Sequence, residues 1–288
     1  MKTALNMKNA IIISLSSDIA LAIADKWSRD GWNMVGTYRN KSDIEQKLNK
    51  KITLFHCDLS DAASCDKAAK DILNLMPDWN VLIFATGTLV PLGLFLKNNV
   101  DDWNTSIHVN FINQIRLTHR LVNKLSRPLE NIMPSVIFFA GGGTNNAVLG
   151  YSAYTISKIA LIKMCELLDA EIAHVKFTII GPGWVKTKIH NETLISGEKC
   201  HPDNYAKTVE RLKNNLWTSL SEVIYFIEWV ISQPKEIVGG RNFSVVHDDI
   251  SNIDFIKKIS NTPDMYKLRR CMNEYFIKKD KNEQHHNT

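Results

Sequence analysis

Short runs of β-branched and aromatic residues alternate with amphipathic stretches along most of this chain of 288 residues. Seven such runs predict strands: Ala10 to Ile13, Asn33 to Thr37, Ile52 to His56, Val81 to Phe84, Val136 to Phe139, Lys176 to Ile180 and Asn242 to Val246. The stretches between them predict helices, chiefly Ile19 to Asp30, Ala62 to Met76, Trp103 to Leu125, Tyr154 to Ala173 and Ser221 to Ser232. Because strands that alternate with helices run parallel, the pattern predicts an α/β fold with a doubly wound parallel sheet.

The composition excludes a membrane-spanning or disordered chain. Hydrophobic residues make up 44% and charged residues 23% of the sequence, which is typical of a folded globular domain. No apolar run approaches the roughly 18 residues of a membrane span, and no cleavage pattern precedes the first strand. We therefore expect a cytoplasmic protein with no membrane partner.

Cysteines and basic residues indicate neither a disulfide framework nor a metal site. The five cysteines are scattered without close pairs, so we expect reduced thiols and no metal. The net charge of +5 raises nucleic-acid binding as an alternative, but much of the basic excess follows Asp249. We interpret that segment as a solvated tail and expect no nucleic-acid partner.

Tyr154 and Lys158 are spaced so that both side chains lie on one face of a predicted helix. An ammonium about 4 Å from a phenol, at an effective dielectric constant near 20, favours the phenolate by about 4 kcal/mol. The spacing therefore predicts that Lys158 lowers the pKa of Tyr154 and that the tyrosine exchanges protons near neutral pH. A buried strand and a glycine turn precede this helix, and Ser152 is its predicted N-cap.

Further motifs occur in a recognisable order along the chain. They are a serine-rich first turn, Asp58 and Leu59 after the third strand, a glycine turn after the fourth, Asn110 in the next helix, Tyr154 with Lys158, and Gly181-Pro182-Gly183 leading to Thr187. In this order they resemble the short-chain dehydrogenase/reductase family. The resemblance implies a single Rossmann-like domain over residues 7–249, with 250–288 as a helical extension that ends in a frayed basic tail.

The resemblance places a dinucleotide at the first turn, although the family's glycine positions hold other residues: Ser14, Asp18 and Ala20. Ser14 and Ala20 are small enough for the turn, whereas Asp18 puts a negative charge near the pyrophosphate unless its carboxylate points away. The helix beginning near Ile19 offers free N–H groups, and Ser16 and Ser17 are extra donors.

Arg39 ends the second strand, where an acidic residue would select NAD. Because a guanidinium forks onto a 2′-phosphate, Arg39 predicts NADP(H) as the preferred cofactor and NAD(H) as the alternative. The resemblance assigns the remaining cofactor contacts to Asp58, Leu59 and Gly87 on the adenosine side, to Tyr154 and Lys158, and to Pro182, Gly183, Val185 and Thr187 on the nicotinamide side.

The activity that the resemblance implies is interconversion of a carbonyl and a secondary alcohol by hydride transfer. Tyr154 is the expected general acid/base, Lys158 lowers its pKa and binds the ribose, and Asn110 holds a relay water. The family's serine, thirteen residues before the tyrosine, is replaced by Gly141. A nearby side chain is expected to donate in its place, and the candidates are Thr144, Asn145 and Asn146.

Four residues near the substrate segment have open roles: Trp184, His190, Glu192 and His201. Three roles are open for Trp184: contact with the cofactor, contact with the substrate, or packing inside the protein. The other three lie on the segment that closes over the substrate in this family, and otherwise they are solvated.

The expected partners are a small-molecule substrate and further copies of the chain. The resemblance implies a homodimer or homotetramer that pairs the helices Asn104 to Leu125 and Ser152 to Ala173. The segment Phe255 to Lys279 is apolar enough to dock as helices, either over a neighbouring subunit's site or on the sheet edge. The altered turn and the missing serine motivate an alternative function, a non-catalytic relative that senses dinucleotides or acts as a scaffold.

Overall fold

Seven parallel strands form one sheet in the computed structural model, which describes residues 8–41, 44, 52–125 and 133–271. The strands are β1 (Asn9–Ile13), β2 (Asn33–Tyr38), β3 (Thr53–His56), β4 (Val81–Phe84), β5 (Ser135–Phe139), β6 (Lys176–Gly181) and β7 (Asn242–Ser244). Their order is β3-β2-β1-β4-β5-β6-β7, and every neighbouring pair is parallel. The predicted doubly wound parallel sheet is confirmed.

Helices cover both faces of this sheet. They are α1 (Asp18–Arg29), α2 (Ala62–Leu75), α3 (Val100–Ile107), α4 (Asn113–Val122), α5 (Ser152–Glu171), α6 (Ile189–Ser196), α7 (Pro202–Lys213), α8 (Leu220–Ser232), α9 (Lys235–Val238) and α10 (Ile253–Ser260). Short 3-10 turns occupy Phe95–Lys97 and Gly197–Lys199. Alternate residues of β1 enter opposite cores: Ile11 and Ile13 pack with α2, α4 and α5, whereas Ile12 packs with α1 and α8.

The predicted helix from Trp103 to Leu125 is interrupted, which corrects the sequence-based interpretation. Between α3 and α4 the chain forms a wider π-helical turn over His108–Ile112. The carbonyl oxygen of Asn110 in this turn accepts from Gln114 Nε2 at 2.8 Å. Apolar periodicity alone cannot show such a turn, because one inserted residue shifts the pattern only slightly.

The start of α5 also differs from the prediction. Tyr151, not Ser152, occupies the N-cap position, and it makes no side-chain capping bond. The Ser152 hydroxyl instead accepts from Trp103 Nε1 at 3.1 Å. The predicted cap was wrong because a tertiary partner uses the hydroxyl that a local cap would need.

The chain after β7 packs against its own sheet edge. Residues 253–260 form α10, residues 261–271 follow as turns, and the predicted helical residues 272–279 lie outside the described part. The backbone N–H of Asn242 donates to the carbonyl of Tyr266 at 2.9 Å. The Tyr266 ring lies 5.6 Å from that of Phe243. The described residues therefore contact the sheet edge, whereas the placement over a neighbouring subunit's site stays a prediction.

Arg241 holds this extension against the sheet edge. The residue is 3% exposed, and its guanidinium donates to four carbonyl oxygens at 2.6 to 3.5 Å, those of Glu236, Ile259, Thr262 and Met265. Arg241→Ala leaves these acceptors without their donor, and we expect it to lower the free energy of unfolding by about 3 kcal/mol. Urea unfolding measures the loss, with exposed Arg270→Ala as the control. Equal midpoints for the two variants would refute the assignment.

Candidate active site

A cavity of about 1480 Å³ opens at the carboxyl ends of the strands. Its lining comes from both sides of the point where the strand order reverses, between β1 and β4. Ligands of open α/β sheets bind at this position. The volume exceeds the roughly 300 to 1,000 Å³ of an ordinary small-ligand pocket. The cavity therefore has room for an extended ligand together with a second molecule.

Most residues singled out from the sequence line this cavity. They are Ser14, Ser16, Ser17, Ile19, Arg39, Asp58, Leu59, Gly87, Thr144, Asn145, Tyr154, Lys158, Pro182, Gly183, Trp184, Val185 and Thr187. Asn146, His190 and Glu192 line it as well. Asn110 and His201 do not: Asn110 is fully buried, and His201 caps α7 by accepting from the N–H of Asp203 at 3.4 Å.

Ser14, at a position where the resemblance expects glycine, has a left-handed backbone conformation. Its φ of 63° lies in the left-handed region, which is costly for a residue with a Cβ atom. Two hydrogen bonds offset this cost: the N–H donates to Thr37 Oγ1 at 2.9 Å, and the hydroxyl bonds to Thr86 Oγ1 at 2.8 Å. The first turn therefore keeps its shape without the glycine.

The turn presents unsatisfied N–H groups at the start of α1. Ser17 is the N-cap and accepts from the N–H of Ala20 at 3.3 Å. The backbone N–H groups of Ser16, Asp18 and Ile19 have no hydrogen-bond partner among the residues that the structure describes. Free amides at the positive end of a helix dipole attract anions. The residues present therefore fit the pyrophosphate of a dinucleotide.

Asp18 is tied to the segment that precedes α6. Its Oδ2 atom accepts from the backbone N–H of Lys188 at 2.7 Å. Lys188 Nζ donates to the carbonyl of Ser16 at 3.0 Å. Lys188 was missed by the sequence analysis, although its place directly after Thr187 was a signal that could have found it.

Tyr154 lies between two glycines. A Cβ atom built on Gly141 would lie 2.6 to 2.8 Å from Cε1, Cζ and the hydroxyl oxygen of Tyr154. On the other side, a Cβ atom built on Gly87 would lie 3.8 Å from the same ring. Sequence reasoning treated Gly141 as a lost hydrogen-bond donor. The structure shows a second property, because the absent side chain leaves the space that the phenol occupies.

The ionisation of Tyr154 differs from the prediction. Burial, with a smaller contribution from the charge of Glu192, raises the pKa of Tyr154 to about 12. Burial also lowers the pKa of Lys158 to about 8. Lys158 Nζ lies 5.7 Å from the centroid of the Tyr154 ring and donates to the carbonyl of Thr86 at 3.1 Å. The predicted lowering of the tyrosine pKa was wrong, because burial of the phenol disfavours its charged form and raises the pKa.

Asn110 fixes the backbone just beyond β4. Its Oδ1 atom accepts from the N–H of Thr88 at 3.0 Å, and its Nδ2 atom donates to the Thr88 carbonyl at 2.9 Å. A third bond joins Nδ2 to Ser106 Oγ at 3.1 Å. The side chain therefore positions Thr88, and the predicted relay water stays a prediction.

Glu192 binds the same segment from α6. Its carboxylate accepts from the N–H of Leu89 at 2.6 Å and from the Thr88 hydroxyl at 3.3 Å. Burial raises the pKa of Glu192 despite these donors. Asn110 and Glu192 thus hold Thr88 and Leu89 from two elements, and they join α6 to the rim of the cavity.

Trp184 combines packing with a place in the cavity lining. Its ring stacks on His190 with centroids 4.0 Å apart, and the Arg211 guanidinium lies 5.7 Å from the ring. All three side chains line the cavity. Thr144 and Asn145 line it without hydrogen-bond partners among the described side chains and backbone. These two residues are therefore available to a ligand.

Residues 8–41, 44, 52–125 and 133–271 contain neither a candidate metal site nor a helix that could span a membrane. No cluster of three or more histidine, cysteine, aspartate or glutamate side chains there could hold a metal ion. None of the helices in that part has the length and apolarity needed to cross a membrane. All five cysteines are free thiols.

The strand order, the amide-lined turn and the Tyr154–Lys158 pair define the class of nucleotide-binding, doubly wound α/β proteins. A family model described as short chain dehydrogenase matches residues 8–195. The chain therefore belongs to the short chain dehydrogenase family, as the sequence motifs indicated, and it is an NAD(P)-dependent oxidoreductase.

Three similar proteins share 17% to 24% of aligned residues with this chain. The serine 3-dehydrogenase of Rhizobium radiobacter is 24% identical over 234 residues, which cover 79% of this chain and 89% of the relative. A short chain dehydrogenase/reductase of Saccharomyces cerevisiae has a TM-score of 0.74 at 19% identity, covering 86% of this chain and 99% of the other. An actinorhodin polyketide ketoreductase solved with NADPH has a TM-score of 0.70 at 17% identity, covering 84% and 97%. These two structures support the fold.

Proposed function

We propose that this protein interconverts a carbonyl group and a secondary alcohol on a small molecule, with NADP(H) as the preferred cofactor and Tyr154 as the general acid/base. One observation carries the proposal: Tyr154 and Lys158 line the same cavity as the free amides of the first turn. Burial of both ionisable groups costs free energy. A scaffold or a dinucleotide sensor has no use for that arrangement, so the catalytic function is preferred over the non-catalytic alternative.

In the direction of reduction, Tyr154 supplies the proton. Its raised pKa, about 12, keeps the phenol protonated at neutral pH, so that it can donate to a carbonyl oxygen as negative charge develops there. When bound, the reduced cofactor would supply the hydride. Lys158 Nζ lies 5.7 Å from the centroid of the Tyr154 ring, and Lys158 is the proposed partner of the ribose hydroxyls. Thr144 and Asn145 are the proposed donors in place of the absent serine.

The cofactor preference depends on Arg39. This exposed residue follows β2, lines the cavity, and its charge contributes to lowering the pKa of Asp58. On the β4 side of the point where the strand order reverses, the chain that follows β6 lines the cavity and would hold the nicotinamide end of the cofactor. Its lining residues include Pro182, Gly183, Val185 and Thr187.

Replacing Arg39 with alanine tests this preference. We expect the variant to bind NADPH about tenfold to 100-fold more weakly than the wild type, because the 2′-phosphate loses a bidentate, charged partner. NADH affinity is expected to change less than about threefold, since NADH lacks that phosphate. Fluorescence titration of both nucleotides with both proteins measures the difference. Equal losses for NADPH and NADH would contradict the assignment of Arg39.

The proposed assembly is a homodimer or homotetramer that uses α4 and α5. Two apolar side chains on α5, Ile156 and Leu167, are 49% and 44% exposed. Exposed apolar residues on one long helix support pairing with a symmetry-related copy.

A further inference from the structure

Lys188 connects the segment before α6 to the first turn of the fold. Its backbone N–H donates to Asp18 Oδ2 at 2.7 Å, and its Nζ atom donates to the Ser16 carbonyl at 3.0 Å. Lys188, Asp18 and Ser16 all line the large cavity. The ammonium therefore lies beside the turn whose free amides fit a pyrophosphate.

The two charges at this contact have opposite effects on an anionic ligand. Asp18 places a carboxylate at a position where the family has glycine, and alone it would repel a dianionic pyrophosphate. Lys188 places a compensating positive charge at the same turn. An ammonium has three N–H donors, and the Ser16 carbonyl uses one of them. Two donors therefore stay available for phosphate oxygens.

Asp18 also fixes the position of the Lys188 backbone. The carboxylate accepts from the backbone N–H of Lys188, so it holds the main chain of that residue against the turn. Lys188 is the residue directly before α6. The aspartate at the family's glycine position, whose own charge disfavours a phosphate, therefore holds a lysine beside the phosphate site.

We propose that Lys188 binds the pyrophosphate of the cofactor and that Asp18 is the positioning residue that holds Lys188 at the turn. This inference rests on the proposed dinucleotide-dependent function. It assigns to this chain a phosphate-binding charge that compensates for the altered glycine turn.

Binding of two probe ligands distinguishes the pyrophosphate subsite from the 2′-phosphate subsite. NADPH contains the pyrophosphate, whereas adenosine 2′-phosphate carries only the phosphate assigned to Arg39. We expect Lys188→Met to weaken NADPH binding about tenfold or more, because a charged hydrogen-bonding partner of the pyrophosphate is lost. Adenosine 2′-phosphate binding is expected to stay within about twofold, since it has no pyrophosphate.

Lys186→Met is the matched control. It removes the same charge two residues earlier, but Lys186 Nζ lies over the Trp217 ring, 4.7 Å from its centroid, and Lys186 does not line the cavity. We expect this variant to bind both probes like the wild type. Calorimetric titration gives the affinities, and thermal unfolding checks that each variant is folded.

Asp18→Asn tests the pairing of the two residues. In the Lys188→Met background it is expected to recover about threefold or more of the lost NADPH affinity, because it removes a carboxylate that no longer has a cation beside it. No recovery would overturn the compensating role of the pair.

The outcomes distinguish this inference from the proposed function. A wild-type protein that binds neither probe at millimolar concentration would refute the dinucleotide-dependent function itself. A wild-type protein that binds NADPH, together with a Lys188→Met variant of equal affinity, would overturn only the inference. Equal weakening of both probes by Lys188→Met would also overturn it, because the effect would not be specific to the pyrophosphate.

Discussion

Replacing Tyr154 with phenylalanine is expected to lower kcat for carbonyl reduction by about 1,000-fold, within the range that positioned general acids contribute. The phenylalanine ring fits the same space between Gly87 and Gly141 but has no proton to donate. We therefore expect NADPH affinity to stay within about twofold, since the cofactor's phosphate contacts are elsewhere. A panel of ketones and aldehydes, followed by NADPH consumption, measures kcat, and fluorescence titration measures binding.

Tyr151→Phe provides the matched control for this loss. Tyr151 lies one turn earlier at the start of the same helix, and its hydroxyl bonds to Thr193 Oγ1 at 2.8 Å. Its removal costs this hydrogen bond and a weak one to Cys200 Sγ at 3.9 Å, so we expect kcat within about fivefold of the wild type. Equal turnover of Tyr154→Phe and the wild type would rule out Tyr154 as the acid, and a collapse confined to Tyr151→Phe would transfer the role to that residue.

Restoring the family's serine at Gly141 is expected to reduce activity and not to increase it. The added Cβ atom would lie 2.6 to 2.8 Å from the Tyr154 ring and hydroxyl, so the phenol must move. A displacement of about 1 Å can cost roughly 100-fold in rate, which exceeds what a donor that is not yet aligned can return. We therefore expect Gly141→Ser to lower kcat by about tenfold to 100-fold while NADPH affinity changes little.

Gly142→Ser separates crowding of the phenol from a general effect on the loop. A Cβ atom built on Gly142 meets no other atom within 4 Å. This variant carries the same new hydroxyl one residue later and is expected to retain kcat within about threefold. If Gly141→Ser were instead faster than the wild type, the space beside Tyr154 would be adaptable and the missing serine would be the limiting defect.

Local periodicity predicted most of the architecture. The fourth strand was predicted at the bounds that the structure shows, Val81–Phe84, and the other strands begin within one residue of their predicted starts. The two-residue period of a strand and the 3.6-residue period of a helix depend only on residues that are close together in the chain, so the sequence shows them directly. The cap of α5 could not be predicted in this way, since the Ser152 hydroxyl bonds to Trp103 elsewhere in the fold. The interruption near Asn110 could not be predicted either, because a π-helical turn shifts the apolar pattern only slightly.

The candidate site was predictable as a set of residues but not as a geometry. Motif order brought Tyr154, Lys158, Arg39 and the first turn to one cavity. It could not show that Glu192 holds Leu89, which is 103 positions away. Nor could it show the raised pKa of Tyr154, because burial depends on how completely separate elements exclude water around the phenol.

The sequence by itself determined the alternation of strands and helices, the parallel sheet, the family and many of the residues that line the cavity, because each is recorded in local spacing or motif order. Only the tertiary structure decided that Tyr154 fills the space beside Gly141, and that Asp18 and Lys188, 170 positions apart, meet at the first turn. The physical reason is that close contacts between distant segments follow from how the helices and loops pack on the sheet, and no local pattern specifies those distances.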